Sequence, residues 1–154
     1  MAKLASTSGD IEALRAAIEG FIAYIGSLPA DALAPAAVGQ EWGPREVLCH
    51  LVFWHEENAS LLAARLRGER RAPVSGGVHQ SNARAIALTR DASIEQLCER
   101  WQAAQSRVEA LLAADLPAGL RMAARQGSTV RPVADVFKPG HVLGHLRQLQ
   151  RRKR

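Results

Sequence analysis

The stretch Gly140-His141-Val142-Leu143-Gly144-His145 sets two histidines four residues apart. On an α-helix that spacing is ~400° of rotation and ~6 Å of rise, so both imidazoles leave one face, a turn apart. Such a pair can chelate one metal ion. His50 stands far upstream, in another segment of helical pattern. Three neutral imidazoles suit Zn, Ni, Fe or Cu and leave coordination positions for water or substrate. A metal held this way can lower the pKa of a bound water or thiol and so make a nucleophile near neutral pH.

Other residues with chemistry are weighed against this trio. Glu57 lies seven residues after His50 and returns to nearly the same helical face. It could orient an imidazole or serve as a catalytic base; a solvated glutamate is the plainer reading. Asn82 could contact substrate, or simply cap a turn. His55 follows His50 by five residues, points ~140° away, and is expected at the surface or rim. His79 follows Gly76-Gly77 and is expected in solvent. Cys49 and Cys98 are the only cysteines, too few for a disulfide framework, and read as reduced thiols inside helices. Cys49 adjoins His50 but points ~100° from it, so the two should not share a metal. Arg121, Arg125 and Arg131 could recognise carboxylates on a substrate or thiol cosubstrate. Asn58-Ala59-Ser60 matches a glycosylation sequon but sits mid-helix, and is discounted.

Helices must position these groups. Ile11, Leu14, Ile18, Phe21, Ile22 and Ile25 recur at steps of three and four and predict a helix over 8–28, closed by Pro29. Residues 29–43 read as a loop. A second helix starts at Pro44, a favoured first-turn residue, and runs to about Gly68. Residues 69–77 read as a loop. Residues 78–88 are helical, and Ser93-Ile94-Glu95-Gln96 is a capping box opening a helix to about Ala114. One bent helix or two remain open for this region. Residues 115–132 read as a long irregular connection. The last helix covers 132–151, with Pro139-Gly140 kinking it or restarting it just before His141. Four long helices with a long connection make an all-α, antiparallel four-helix bundle with a crossover. One domain over 1–154 is expected, ending in the basic tail 151–154.

Composition narrows the function classes. No apolar run reaches the ~18–20 residues of a membrane span. The start, Met1-Ala2-Lys3-Leu4, lacks a secretory apolar core, so a cytoplasmic protein is expected. The net charge of +5 comes partly from Arg151-Arg152-Lys153-Arg154. That cluster also suits a helix C-terminus, and no nucleic-acid motif accompanies it. Neither a membrane nor a nucleic acid is an expected partner; a small molecule is. Amphipathic helices that leave an apolar strip unburied would also favour a homodimer.

Trp42-Gly43-Pro44-Arg45-Glu46-Val47-Leu48-Cys49-His50-Leu51 resembles the second-helix signature of the DinB/YfiT-like superfamily, in which the histidine before Leu is a metal ligand. Gly140-His141 through His145-Leu146-Arg147-Gln148-Leu149 resembles that family's last helix. Asn82-Ala83-Arg84 and the helix after Ser93 look like the branch containing mycothiol-dependent maleylpyruvate isomerases and ClbS/DfsB-type bundle proteins. The resemblance implies a four-helix bundle with a divalent metal, nickel or zinc, on His50, His141 and His145. It implies a metal-dependent enzyme on small molecules, a thiol S-transferase or hydrolase, with a low-molecular-weight thiol as cosubstrate. The alternative is a metal-free small-molecule-binding or self-resistance bundle protein. The C-terminal domain that supplies substrate contacts in the mycothiol-dependent isomerases is not expected here.

Overall fold

The structure is a computed structural model and describes residues 7–37, 39–69, 77–113, 116, 119–124 and 129–152. Helix α1 (Thr7–Gly26) buries Leu14, Ala17, Ile18, Phe21 and Ile25, the stripe that its spacing demands. A short 3-10 turn, Ala30–Leu33, interrupts the expected loop after it. Helix α2 (Pro44–Leu66) begins with extended Gly43 and Pro44 in its first turn. Gly43 N–H donates to Glu46 Oε1 at 3.0 Å, the half of a capping box that a glycine permits. The helix ends in left-handed Gly68 (φ 72°), and Glu69 N–H reaches back to the Ala64 carbonyl at 2.9 Å. This closure satisfies carbonyls that a helix end otherwise leaves open.

The next region is two helices, α3 (Val78–Thr89) and α4 (Ile94–Ala113). Ser93 Oγ accepts from Gln96 N–H at 3.0 Å and Gln96 Oε1 accepts from Ser93 N–H at 2.9 Å, so the expected capping box is formed. Between the helices the Arg45 guanidinium donates to the carbonyls of Arg90 and Ala92, at 2.6 and 2.7 Å.

The long connection departs from the irregular expectation. Strands β1 (Arg121–Ala124) and β2 (Thr129–Pro132) form an antiparallel hairpin, with Arg121 opposite Pro132 and Ala124 opposite Thr129. It lies on α2, where Met122 is buried and Arg65 Nε donates to the Arg121 carbonyl. A single turn, α5 (Val133–Val136), follows, and α6 (Gly140–Arg152) is a fresh start. Pro139 lacks the N–H a continuous helix needs and disfavours helical geometry before it. The Leu143 N–H then takes the Pro139 carbonyl at 3.0 Å as the new helix begins.

Helices α1, α2, α4 and α6 close a ring around one core, with α3 packed outside α2. Phe21 and Trp101 meet edge-on at its centre, 5.4 Å apart. Side-chain pairs give the directions. Arg15 meets Glu109 and Phe21 meets Trp101, so α1 and α4 are antiparallel. Arg45 meets Ala92, Glu56 meets Arg100, and Ser60 meets Arg107, so α2 and α4 are parallel. A parallel neighbour cannot be reached by a short turn, and α3 lies within the required crossover. His50 faces His141 while the Trp42 carbonyl meets Arg152, so α2 and α6 are antiparallel. Among the described residues no helix is long and apolar enough to cross a membrane. The exposed large hydrophobic residue among them is Leu88, on α3, rather than an apolar strip.

Candidate metal centre

His50 lies two turns into α2 and is buried; His141 and His145 occupy successive turns of α6 and are half-buried. The antiparallel contact of α2 with α6 brings all three together. His141 Nε2 is 3.3 Å from His50 Nε2 and 3.1 Å from His145 Nε2. The three potential ligand atoms all lie within 4.8 Å of one another. Two imidazole nitrogens bound to one tetrahedral zinc, each at about 2.0–2.1 Å, stand about 3.3 Å apart. The observed separations fit that requirement.

The partners of His50 fix which nitrogen faces the centre. Trp54 Nε1–H donates to Asn82 Oδ1 at 3.3 Å, and His50 Nδ1 lies 3.1 Å from the same oxygen. An indole N–H can only donate, so the shared Asn82 atom is the carbonyl oxygen. His50 must then carry its proton on Nδ1, which leaves the Nε2 lone pair aimed at His141. An imidazole held by a partner behind it is the usual support of a metal ligand. The Trp42 ring covers another side of His50 at 5.3 Å. Its loop is held by Arg152, which donates to the Trp42 carbonyl and pairs with Glu41. Part of the basic C-terminal cluster is therefore tied to this site. Lys153 and Arg154 lie outside the described residues.

Asn82 is thus placed behind His50, with its oxygen committed to the ring and to Trp54. Glu57 is half-buried on α2 and is not one of the three converging groups. His79 is exposed, as expected. The expectation for His55 is corrected. It does point away from His50, but α4 covers that face too. His55 is buried, 2.9 Å from Gln105 Oε1, with Phe137 edge-on to its ring. Burial pulls its pKa down to about 4, against the Gln105 hydrogen bond that favours the cation. Cys49 and Cys98 are free thiols. Burial raises the pKa of both, outweighing a Thr89 hydrogen bond at Cys49, so neither is set up as a thiolate. Arg121 is exposed, Arg131 is half-buried, and Arg125 lies outside the described residues. The structural roles of Trp54 and Gln105 had no sequence signal beyond their place on helical faces.

A family model of the DinB superfamily matches residues 13–149. No curated protein matches the chain. A crystal structure of an uncharacterised protein from Escherichia coli UTI89 is similar, with a TM-score of 0.69 and 13% identity, over 94% of this chain and 91% of that one. One of an uncharacterised protein from Clostridium difficile 630 has a TM-score of 0.70 and 13% identity, over 93% and 92%. At such identity these two speak for the fold alone.

Proposed function

The chain belongs to the DinB superfamily, and on that premise we propose that it is a divalent-metal-dependent enzyme acting on small molecules. The reaction we infer is of thiol S-transferase or hydrolase type. The observation that carries this reading is the convergence of the His50, His141 and His145 nitrogens at the α2–α6 contact. Their neutral nitrogen donors favour zinc or nickel over magnesium or calcium, which prefer oxygen. When bound, such a cation supplies Lewis acidity, the means of activating a water or a low-molecular-weight thiol near neutral pH.

The chain's own groups do the rest. Asn82 keeps the His50 proton on Nδ1, and Trp54 keeps the Asn82 oxygen in place. Trp42 packs its ring against His50. We assign Glu57 as the base that takes a proton from the nucleophile, a role for which its half-buried place on the His50-bearing helix qualifies it. A contact between Asn82 and substrate is open to its amide nitrogen.

The test is metal analysis of protein purified without a histidine tag, then offered zinc and nickel. One equivalent is expected in the wild type and in His79→Ala, whose ring is exposed. His145→Ala should lose it, with its helix intact because Ala is the best helix former. If the wild type takes up neither metal, the enzyme reading falls, and a metal-free small-molecule-binding protein takes its place.

A further inference from the structure

Arg152 is the last residue of α6 and reaches back to the start of α2. Its Nη1–H donates to the Trp42 carbonyl and its Nη2 meets Glu41 Oε1, each at 2.5 Å. His141, His145 and Arg152 are separated by four and seven residues. On a helix those steps return to within ~40° of one line, so all three sit on the side of α6 that meets α2. Arg152 stands ~10.5 Å beyond His145 along the axis, and Trp42 lies eight residues before His50. In the antiparallel pairing of α2 with α6, the guanidinium clasp and the histidine trio are therefore two contacts on one seam, about two turns apart.

The seam needs that second contact. Pro139 separates α6 from the turn before it, and the helix buries only Val142 and Leu149. Apolar packing alone does little to fix how far α6 sits along α2. A slip of one residue moves a helix by ~1.5 Å, whereas ligand distances in a metal site must hold to within about 0.2 Å. The guanidinium fork is planar and rigid, and with a separate acceptor for each of two nitrogens it fixes direction as well as distance. Its hold reaches a ligand through Trp42, whose ring lies 5.3 Å from that of His50. Asn82 secures Nδ1 of the His50 ring, and Trp42 limits its swing.

We propose that Arg152 is a positioning residue of the histidine trio, setting the register of α6 against α2 and holding Trp42 on His50. That the trio takes a metal rests on the reading above; the positioning does not. An exposed ion pair such as Arg152–Glu41 adds little stability, so the clasp acts on geometry, and its loss should leave the bundle folded. Charge and geometry also predict opposite signs. Removing a positive charge near a bound cation lowers repulsion and would tighten binding; loss of register weakens it.

The test compares the full chain, untagged and labelled with ¹⁵N, with Arg152→Ala, Arg152→Lys and Arg147→Ala. Arg147 is the control: it is exposed, nearer to His145 in sequence, and donates to the Leu143 carbonyl of its own helix. In the metal-free proteins, ring ¹H–¹⁵N spectra follow the histidines, with His50→Ala, His141→Ala and His145→Ala assigning the signals. Arg152→Ala should shift the ring signals of the trio; Arg147→Ala should leave them in place. Calorimetric titration with zinc should then give a Kd about tenfold higher in Arg152→Ala, the low end of what losing support behind a ligand imidazole costs. Arg152→Lys keeps the charge but not the fork, and should lose less. The proposal is overturned if metal-free Arg152→Ala shows the wild-type ring signals, or if it binds zinc as tightly as the wild type or more tightly. It is equally overturned if Arg147→Ala does the same damage, or if Arg152→Lys loses more than Arg152→Ala. Should Arg152→Ala not fold, Arg152→Lys carries the same comparison against the wild type. If the wild type takes up no zinc, the metal reading fails, and the ring signals of the metal-free proteins still decide this proposal.

Discussion

Without the Asn82 amide, His50 loses the acceptor that holds its proton on Nδ1. Asn82→Leu is therefore expected to weaken zinc binding about 10–100-fold, the usual effect of removing the partner behind a ligand imidazole. Calorimetric titration reads this, and an unchanged affinity would deny Asn82 its positioning role. His55 makes a prediction of a different kind. Its pKa is about 4 in the fold and about 6.5 in an unfolded chain. Between those values the unfolded chain binds more protons, so this contribution is complete above pH ~6.5 and lost as pH falls toward 4. The loss is on the order of 3 kcal/mol. In His55→Gln, urea unfolding should show a shallower decline across that window; parallel curves for the two proteins would refute it. The contrast between these residues also shows what sequence spacing can reveal. A separation of four residues fixes the relation of His141 to His145 on their own helix. Whether a neighbouring helix covers His55 depends on packing, which no local spacing encodes.

Helix α2 carries His50, Trp54 and Glu57, and its first turn depends on one carboxylate. Glu46 is buried and accepts from the N–H groups of Gly43, at 3.0 Å, and Ala36, at 3.3 Å. Glu46→Ala strands both donors and should cost about 1–3 kcal/mol, seen as a lower urea midpoint with unchanged slope. Glu46→Gln keeps an acceptor and should cost less; equal losses would mean that the hydrogen bonds are not what matters there. Elements with strong local signals were legible before the fold was known: the α1 stripe, Pro44 at the start of α2, the Ser93–Gln96 box, and the break at Pro139. The β1–β2 hairpin was not. Its strands are four residues each, too short to establish an alternating pattern, and β1 contains little of the β-branched character that marks strands. Burial of Met122 and the Arg65 bond to the Arg121 carbonyl place it against α2. Those are tertiary contacts, and the Gly and Pro punctuation of the sequence announces only a loop.

Across the whole molecule, the histidine trio joins helices from opposite halves of the chain. Helix α6 packs chiefly on α1 and meets α2 over a smaller contact, where the three nitrogens converge. A cation bound there would tie α2 to α6 directly and close the ring where it is least packed. Binding to the folded state alone stabilises it by mass action: at a free metal concentration 100 times Kd, the gain is about 2.7 kcal/mol. For a domain of this length each kcal/mol corresponds to about 2–4 °C, so zinc should raise Tm by about 5–11 °C, and a chelator should reverse the rise. The two halves of the trio make the prediction specific. His50→Ala and His145→Ala remove ligands from different helices, yet each should abolish the shift, because neither helix alone holds a complete site. A shift that survives in both variants would mean that zinc stabilises the bundle from elsewhere. Loss in His145→Ala alone would place the metal on α6 without α2, and the link across the ring would be lost with it.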